Sequence, residues 1–345
     1  MYLFWERRGT KSGGGLEFLS SQQLVAMPRL VLAAVPEQVN IPILLCLERK
    51  IFERYGLEVV HRVVPEGTGK MLDLLESGEV DVALTVTDGF IAGKAGGRRV
   101  RLVGTFADSP LVWAVACSGR NEASSSLATL SDLKTGQGLS RKCRVGISRI
   151  GSGSHTMGIY MGKKILGEQE SLEYVVANNF QGLRDGTHKG DFDVFMWETF
   201  TTKPFFDSGE LRKVGEVPTP WTAFSFVCST EGGSERKEQI DKILSDSLFP
   251  ALQEGVVAFV GDSEREATLD RICNEHGHQR RDAAQWLESC SYAVSTAEGS
   301  AIMSLEVTPT KSPFSINRDH TARAMDILKE VGLVPPQLTV DDLLR

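Results

Sequence analysis

Short apolar strands alternate with amphipathic helices along this chain, and that alternation restricts its fold more than any other feature. LVLAAV (30–35), LEVVHRVV (57–64), VDVALTV (80–86) and VRLVGTF (100–106) read as buried strands, and a helix separates each from the next. Strands that alternate with helices at this spacing form crossover units and a parallel sheet. The sequence therefore predicts an α/β block here.

The same alternation starts again after a polar, turn-rich connection. CRVGISRI (143–150), LEYVVANN (172–179) and FDVFMW (192–197) read as strands of a second block, with predicted helices between them. From Glu235 onward the apolar residues recur mainly at the helical period. The chain therefore predicts two α/β blocks followed by a helical C-terminal region.

Two extended segments join the blocks, one before residue 118 and one after residue 217. Two chain crossings between two lobes indicate a hinge with a cleft beside it. The predicted fold class is α/β, with two lobes built on parallel-core sheets. The predicted divisions are an N-terminal extension at residues 1–28, lobe I at residues 29–113 and 228–345, and lobe II at residues 114–227.

Composition and charge exclude several classes of protein. The chain has 345 residues, enough for two domains, and its 41% hydrophobic and 24% charged residues are typical of a globular protein. Its 38 basic and 45 acidic residues give a net charge of −7, which argues against a nucleic-acid-binding surface. No apolar run approaches the roughly 20 residues of a membrane helix, so no membrane span is predicted.

The cysteines and histidines do not form a recognisable metal site or disulfide framework. The six cysteines lie far apart without a CxxC pair, which is typical of reduced, buried thiols in a cytosol-like compartment. His276 and His278 have no cysteine or carboxylate at ligand spacing, so the pair is predicted to be a helix end. Neither a metal nor a cofactor is predicted.

Residues 1–28 do not have the pattern of a secretory signal, because a long apolar stretch followed by a cleavage site is missing. Arg7, Arg8 and Lys11, together with the serines, leave an organelle transit peptide open. The alternative is a disordered extension, with the folded part beginning near Met27. The predicted location is cytoplasmic.

Candidate site residues follow from the position of the strands. In open α/β sheets, ligands lie at the carboxyl ends of the strands, so the residues just after each strand are the candidates. Each could instead serve in a turn or a helix cap, and only their recurrence at one sheet edge favours a ligand site. The candidates are Gln38, Asn40, Gly67, Thr68, Thr87, Asp88, Gly89, Ser152, Gly153, Ser154, His155, Trp197, Glu198 and Trp221.

The loop SRIGSGSH joins a predicted strand to a predicted helix, as nucleotide loops do. A dinucleotide loop would have a third glycine where Thr156 stands and an acidic residue where Asn179 stands, and a P-loop would end in GK[ST]. Without a nucleophile elbow, Ser154 and His155 do not predict a hydrolase. The remaining interpretation is a helix N-terminus whose N–H groups, with the hydroxyls of Ser152 and Ser154, face an anion or a carbonyl oxygen.

The order of several motifs resembles a known family. LVLAAVPEQVNIP, LLESGEVDVALT, GSGSH and AMDILKEVGLV are similar to segments of the type 2 periplasmic-binding-protein fold, in the branch that contains nitrate, alkanesulfonate and thiamine-precursor binders. The resemblance covers about residues 29–345. SRIGSGSH, FMWETFTTKP and TPW are most similar to a subgroup found in fungi, algae and bacteria.

The resemblance implies two lobes that close over a small-molecule ligand. Trp197, Phe200 and Trp221 would stack on a flat heterocycle, while Glu198 and Asp88 would bind amino groups or a ring N–H. The preferred hypothesis is a soluble, non-secreted binding protein for a pyrimidine-like thiamine precursor, acting as a monomer or homodimer.

Two alternatives stay open. The family also includes single-turnover pyrimidine synthases of thiamine biosynthesis, whose CCCFC motif is missing here, and such an enzyme would hold pyridoxal phosphate on a lysine. An anion binder, such as the sulfonate-binding component of an ABC-type uptake system, would instead rely on Lys203, Lys70 and the GSGSH amides. Enzymatic activity therefore stays open, and a protein that binds its ligand without catalysis is the preferred interpretation.

Overall fold

The computed structural model describes residues 27–121, 124–134, 138–167, 172–294 and 313–345. Of the predicted N-terminal extension, all but the last two residues lie outside this part of the chain.

The described residues form two groups of strands with helices around them. The strands are β1 (Arg29–Ala34), β2 (Glu58–Val63), β3 (Val82–Val86), β4 (Val100–Ala107), β5 (Val112–Ser118), β6 (Cys143–Ile147), β7 (Leu172–Val176), β8 (Val194–Glu198), β9 (Leu211–Pro218) and β10 (Phe224–Ser229). The helices are α1 (Ile41–Glu48), α2 (Ile51–Arg54), α3 (Thr68–Glu76), α4 (Thr87–Ala95), α5 (Gly153–Tyr160), α6 (Phe180–Lys189), α7 (Thr199–Asp207), α8 (Gly233–Ile243), α9 (Phe249–Val260), α10 (Arg265–His276), α11 (Arg280–Ser289), α12 (Arg318–Glu330) and α13 (Val340–Leu343).

The first sheet has the strand order β2-β1-β3-β10-β4. Strand β1 runs parallel to β2 and to β3, as the alternation of strands and helices predicts. Strand β10 lies antiparallel between β3 and β4, although more than a hundred residues separate it from either along the chain. The sheet is therefore parallel in its first three strands and mixed as a whole.

The second sheet repeats this arrangement, with the order β7-β6-β8-β5-β9. Strand β6 is parallel to β7 and β8, and β5 is antiparallel to β8 and β9. The chain passes between the sheets at residues 108–111 and again at 219–223. The predicted class, an α/β fold with two lobes and two crossings, is confirmed.

Aromatic side chains fill the core beside the first sheet. The ring centroid of Phe106 lies 5.2 Å from that of Phe226 and 5.0 Å from that of Tyr292, both in edge-to-face geometry. Phe249 and Phe314 pack at 5.5 Å on the same cluster. Edge-to-face pairs add stability beyond the burial of their area, so this cluster ties the helical C-terminal region to the sheet.

A second core cluster crosses from one half of the molecule to the other. It contains Phe90 of α4 on the side of the first sheet and Trp113 of β5 and Met157 of α5 on the side of the second, all buried. Trp221, in the second crossing, belongs to the same cluster. The two halves are therefore in direct apolar contact in this conformation.

By length and composition, one helical run among the described residues, Gly233–Val260, is apolar enough to cross a membrane. No such segment is predicted from the sequence alone. Half of its most apolar window is buried inside the fold. Leu248, Leu252 and Phe259 of this run lie in the core beside the first sheet. A buried core helix passes the same test, so the run is weak evidence for a membrane span.

Candidate functional site

A small cavity lies where the two sheets meet. Its walls include Glu37 after β1, Pro110 in the first crossing, Glu198 at the end of β8 and Trp286 of α11. The cavity offers about 40 Å³ to the centre of a water-sized molecule, room for about three waters. In this conformation the two halves therefore lie close together at this point, with little space between them.

Glu198 combines a place in the cavity wall with a structural role. It precedes α7, and its two carboxyl oxygens accept hydrogen bonds from the backbone N–H groups of Phe200, at 3.0 Å, and Thr201, at 2.6 Å. The positive end of the helix dipole favours a negative charge at this point. Burial raises the pKa of Glu198 from its ordinary value, and these N–H groups oppose the rise.

Glu37 is the second acid of the cavity, and it is not among the predicted site residues. Burial, followed by the charge of Glu198, raises its pKa to about 8. At neutral pH Glu37 is mainly protonated, so it can both donate and accept a hydrogen bond. Its position directly after β1, beside the buried Gln38, is the sequence signal that could have identified it.

Asp88 marks the contact between α4 and α5. Its side chain is 3% exposed, and burial raises its pKa to about 6. The indole N–H of Trp221 lowers that pKa, although neither Asp88 Oδ2 nor Trp221 Nε1 has a hydrogen-bond partner of ordinary geometry within the described residues. A β-carbon added to Gly153 would lie 4.0 Å from Asp88 Oδ2 and 2.9 Å from the Trp113 ring. Gly153 therefore permits the close approach of the two halves.

Trp113 connects this contact to the cavity. It pairs in register with Glu198 across β5 and β8, and its ring centroid lies 6.5 Å from that of Trp197. Trp197 itself stacks on Phe180 at 5.2 Å, on the side of the second sheet. Of the three aromatic residues predicted to stack on a ligand, Trp197 and Trp221 already pack on other protein side chains in this conformation. Phe200 lines the cavity.

The predicted residues of the first sheet serve mainly its own packing in this conformation. Thr68 Oγ1 accepts a hydrogen bond from the N–H of Val86 at 3.2 Å, and Thr87 Oγ1 lies 2.8 Å from Ser225 Oγ. Gly67 takes a φ of 81° before α3, which favours glycine. Two more of these predicted residues also contact their own half of the molecule. A β-carbon on Gly89 would lie 3.1 Å from Thr68, and Asn40 Nδ2 donates to the Val35 carbonyl at 2.6 Å.

The SRIGSGSH loop hydrogen-bonds largely to itself. Ser152 Oγ accepts from the N–H of His155 at 3.3 Å, and Ser154 Oγ accepts from the N–H of Ser148 at 3.0 Å. His155 Nδ1 accepts from the N–H of Gly151 at 3.1 Å, and its ring lies edge-to-face on Tyr174. In this conformation the two hydroxyls therefore stabilise the start of α5. A different side chain of the loop, Arg149, makes its contact with the other half of the molecule.

Arg149 was not singled out by sequence reasoning. Its Nη1 donates to the carbonyl oxygen of Glu66 at 3.0 Å, across the boundary between the two halves. A β-carbon on Gly69 would lie 3.1 Å from the guanidinium, so the glycine leaves room for it. Arg149 therefore closes the rim of the cleft from the second half.

Comparison with known proteins agrees with this architecture. The family model described as Ca3427-like PBP matches residues 113–217, which include β6 to β8 and most of β5 and β9. The solved structure of the CA3427 gene product of Candida albicans, described as having the generic periplasmic-binding-protein fold, covers 92% of this chain and 96% of its own at 24% identity, with a TM-score of 0.76. No curated protein sequence matches the chain.

Two bacterial structures are similar at lower identity. The alkanesulfonate-binding protein SsuA from Xanthomonas axonopodis pv. citri, bound to MOPS, has 12% identity and a TM-score of 0.66, with 92% of this chain and 98% of that one covered. The nitrate-binding protein NrtA from Synechocystis PCC 6803 has 12% identity and a TM-score of 0.64, with 92% and 86% covered. The chain therefore has the two-lobed type 2 periplasmic-binding-protein fold, which is a fold of ligand-binding proteins.

Proposed function

We propose that this protein binds a small metabolite between its two lobes, and that the ligand presents amino groups or a protonated ring nitrogen. The pyrimidine-like thiamine precursors belong to this class. The fold supports ligand binding, since its structural neighbours include sulfonate-binding and nitrate-binding proteins. The class of ligand is argued from the cavity.

The charge of the cavity carries this proposal. Glu37 and Glu198 are the only charged side chains that line it in the described part of the chain. An anionic ligand would face two acids with no basic partner, and the negative charge of Glu198 would repel it strongly in a poorly solvated site. A ligand with N–H donors would instead satisfy the carboxyl oxygens.

The other wall groups suit a flat ring. Phe200 and Trp286 line the same cavity, and aromatic faces favour stacking on a planar heterocycle. The synthase-like alternative requires a lysine for pyridoxal phosphate, and no lysine lines the cavity within the described residues. These observations favour a binder of an aminopyrimidine over both an anion binder and that enzyme.

Calorimetric titration with three ligands tests the proposal. We expect 4-amino-5-hydroxymethyl-2-methylpyrimidine to bind, and ethanesulfonate and nitrate to bind more weakly or not at all. Glu37→Gln should weaken aminopyrimidine binding about tenfold, because the carboxyl of Glu37 can give up its proton and pair with an amino group or protonated ring nitrogen of the ligand, whereas the amide cannot. Glu238→Gln, an exposed acid on α8 outside the cavity, is the matched control and should leave the affinity unchanged. Tighter binding of ethanesulfonate than of the aminopyrimidine would overturn the proposal.

A further inference from the structure

A second, larger cavity lies at the other end of the contact between α7 and α11. It offers about 310 Å³ to the centre of a water-sized molecule, and its walls include Asp207, Ser208, His278 and Asp282. It shares no lining residue with the first cavity. Helix α7 packs on β5, β8 and β9 of the second sheet, whereas α11 packs on α10, so the cavity lies between the two halves of the molecule.

The turn that forms one wall is the His-Gly-His segment. Helix α10 ends at His276, and Gly277 follows in the left-handed conformation with a φ of 71°, as the predicted helix end requires. The chain then turns directly into α11, which places the His278 ring under the cavity wall. His278 is 7% exposed, and its ring packs edge-to-face on Phe200.

Two buried side chains at this wall have polar atoms without hydrogen-bond partners in the described part of the chain. Among the described residues, the two ring nitrogens of His278 have no hydrogen-bond partner. Asp282 Oδ1 has none there either, although Asp282 is only 2% exposed. A buried polar atom without a partner costs about 1–3 kcal/mol. A fold keeps such groups where something other than its own backbone satisfies them.

Two carboxylates at the cavity share one closely placed ammonium, and a second basic side chain pairs with one of them at longer distance. Lys203 Nζ lies 2.7 Å from Asp207 Oδ1 and 3.1 Å from Asp282 Oδ2, so one ammonium serves two acids. Arg281, whose side chain is 81% exposed, comes no nearer to Asp282 than 3.6 Å. Burial lowers the pKa of His278, so the imidazole is neutral and offers one nitrogen as an acceptor.

We propose that this cavity is a second binding site, which takes a small molecule through a primary ammonium group. The ammonium would donate to Asp282 Oδ1 and to the acceptor nitrogen of His278, which lack partners among the described residues. Asp207, whose two oxygens already accept from Lys203 at 2.7 and 2.9 Å, would add negative charge. A metal ion is not the occupant, because the described His, Cys, Asp and Glu residues form no group that could hold one. The ligand reaches the shielded nitrogens by a slight separation of α7 from α11.

Nuclear magnetic resonance on the full chain tests this site directly. Propylammonium chloride is titrated while the Cε1–H signal of His278 is followed, with the signal assigned by its loss in His278→Gln. We expect a saturable shift. Propanol, of the same shape without charge, and tetramethylammonium, a cation without N–H donors, should leave the signal unmoved. An equal response to all three compounds, or none to propylammonium, would overturn the proposal.

Two substitutions move the affinity in opposite directions. Asp282→Asn should weaken propylammonium binding at least about tenfold, because it removes a charged acceptor. Lys203→Met should strengthen it several-fold, since the internal ammonium no longer competes for the two carboxylates. A purely structural role for Lys203 predicts weaker binding in Lys203→Met instead, and that result would contradict the proposal even if Asp282→Asn fails to fold.

A control separates this site from the cleft. Glu37→Gln should leave the response of His278 to propylammonium intact while it weakens the aminopyrimidine at the first cavity. Loss of both responses in Glu37→Gln would mean that a single site accounts for both, and the second site would be wrong.

Discussion

The protonation of Glu37 makes the stability of the unliganded protein depend on pH in a specific direction. Its carboxyl has a pKa of about 8 in the folded protein against an ordinary value of 4.5. Between these values the folded state holds a proton that the unfolded state has lost. The free energy of unfolding therefore falls as the pH rises through this window, and the stabilisation is fully present only below it.

The magnitude follows from the size of the window. At 1.36 kcal/mol per pH unit, the full difference between 4.5 and about 8 corresponds to an upper limit of about 4.8 kcal/mol. Glu37 keeps some contact with solvent, which screens its charge, so we expect a loss of about 1–2 kcal/mol from pH 5.5 to pH 8.5. Glu37→Gln, which resembles the protonated acid, should lack this loss.

Urea unfolding of the wild type and of Glu37→Gln at several pH values between 5.5 and 8.5 measures the difference. Glu238→Gln, on the exposed surface of α8, should keep the wild-type dependence. Glu198→Gln should reduce the dependence in part, because the charge of Glu198 is the second cause of the raised pKa. If wild type and Glu37→Gln lose stability in parallel, then Glu37 ionises normally in the folded protein, and the reasoning from its burial and from the charge of Glu198 is refuted.

Three further predictions rest on other parts of the structure. Burial raises the pKa of Asp88 from 3.8 to about 6, so the free energy of unfolding of the wild type should fall by about 2–3 kcal/mol as the pH rises across that range. Asp88→Asn should not show this fall in urea unfolding, and an equal fall in wild type and variant would contradict the prediction. Phe106→Ala should lower the free energy of unfolding by about 3–5 kcal/mol, since it opens the aromatic core, and a loss below 1 kcal/mol would contradict the packing argument. Arg149→Ala should speed ligand release about fivefold in stopped-flow experiments, because it removes the contact with the Glu66 carbonyl, while Arg120→Ala on the exposed surface should not.

Much of the local structure could be read from the sequence, because local chemistry determines it. The apolar runs of β1 to β4 and the glycine stops between them predict the strands and their order along the chain. Gly277 ends α10 as expected, since glycine adopts the left-handed conformation without cost. The two-block alternation likewise predicts two lobes.

The pairing of distant strands could not be read in the same way. VGEVPTPWTAFSFVCST (214–230) reads as one extended segment, yet it contains the end of β9 in the second sheet and all of β10 in the first. Strand β10 lies between β3 and β4 because it covers two hydrogen-bonding edges at once, and no local pattern encodes which edges are free. The same is true of β5, which inserts between β8 and β9.

The candidate site shows the same division. Position after a strand is a local property, so the sequence indicated Gln38 and Glu198, and both line the first cavity. The protonation of Glu37 and the contact of Arg149 with Glu66 depend on which half of the molecule lies opposite, and only the closed arrangement decides that. The SRIGSGSH loop does lie at a helix start, but the hydroxyls of Ser152 and Ser154 accept hydrogen bonds from backbone N–H groups of the loop itself, and these bonds form only in the folded chain.

By itself, the sequence determined the α/β class and the two blocks, because hydrophobic period, turn residues and caps act over a few residues. Only the tertiary structure decided that two acids share one cavity and that His278, Asp282 and Lys203 meet at another. The physical reason is that charge, burial and unsatisfied hydrogen bonds arise between segments far apart in the chain, and they exist only once the halves are packed together.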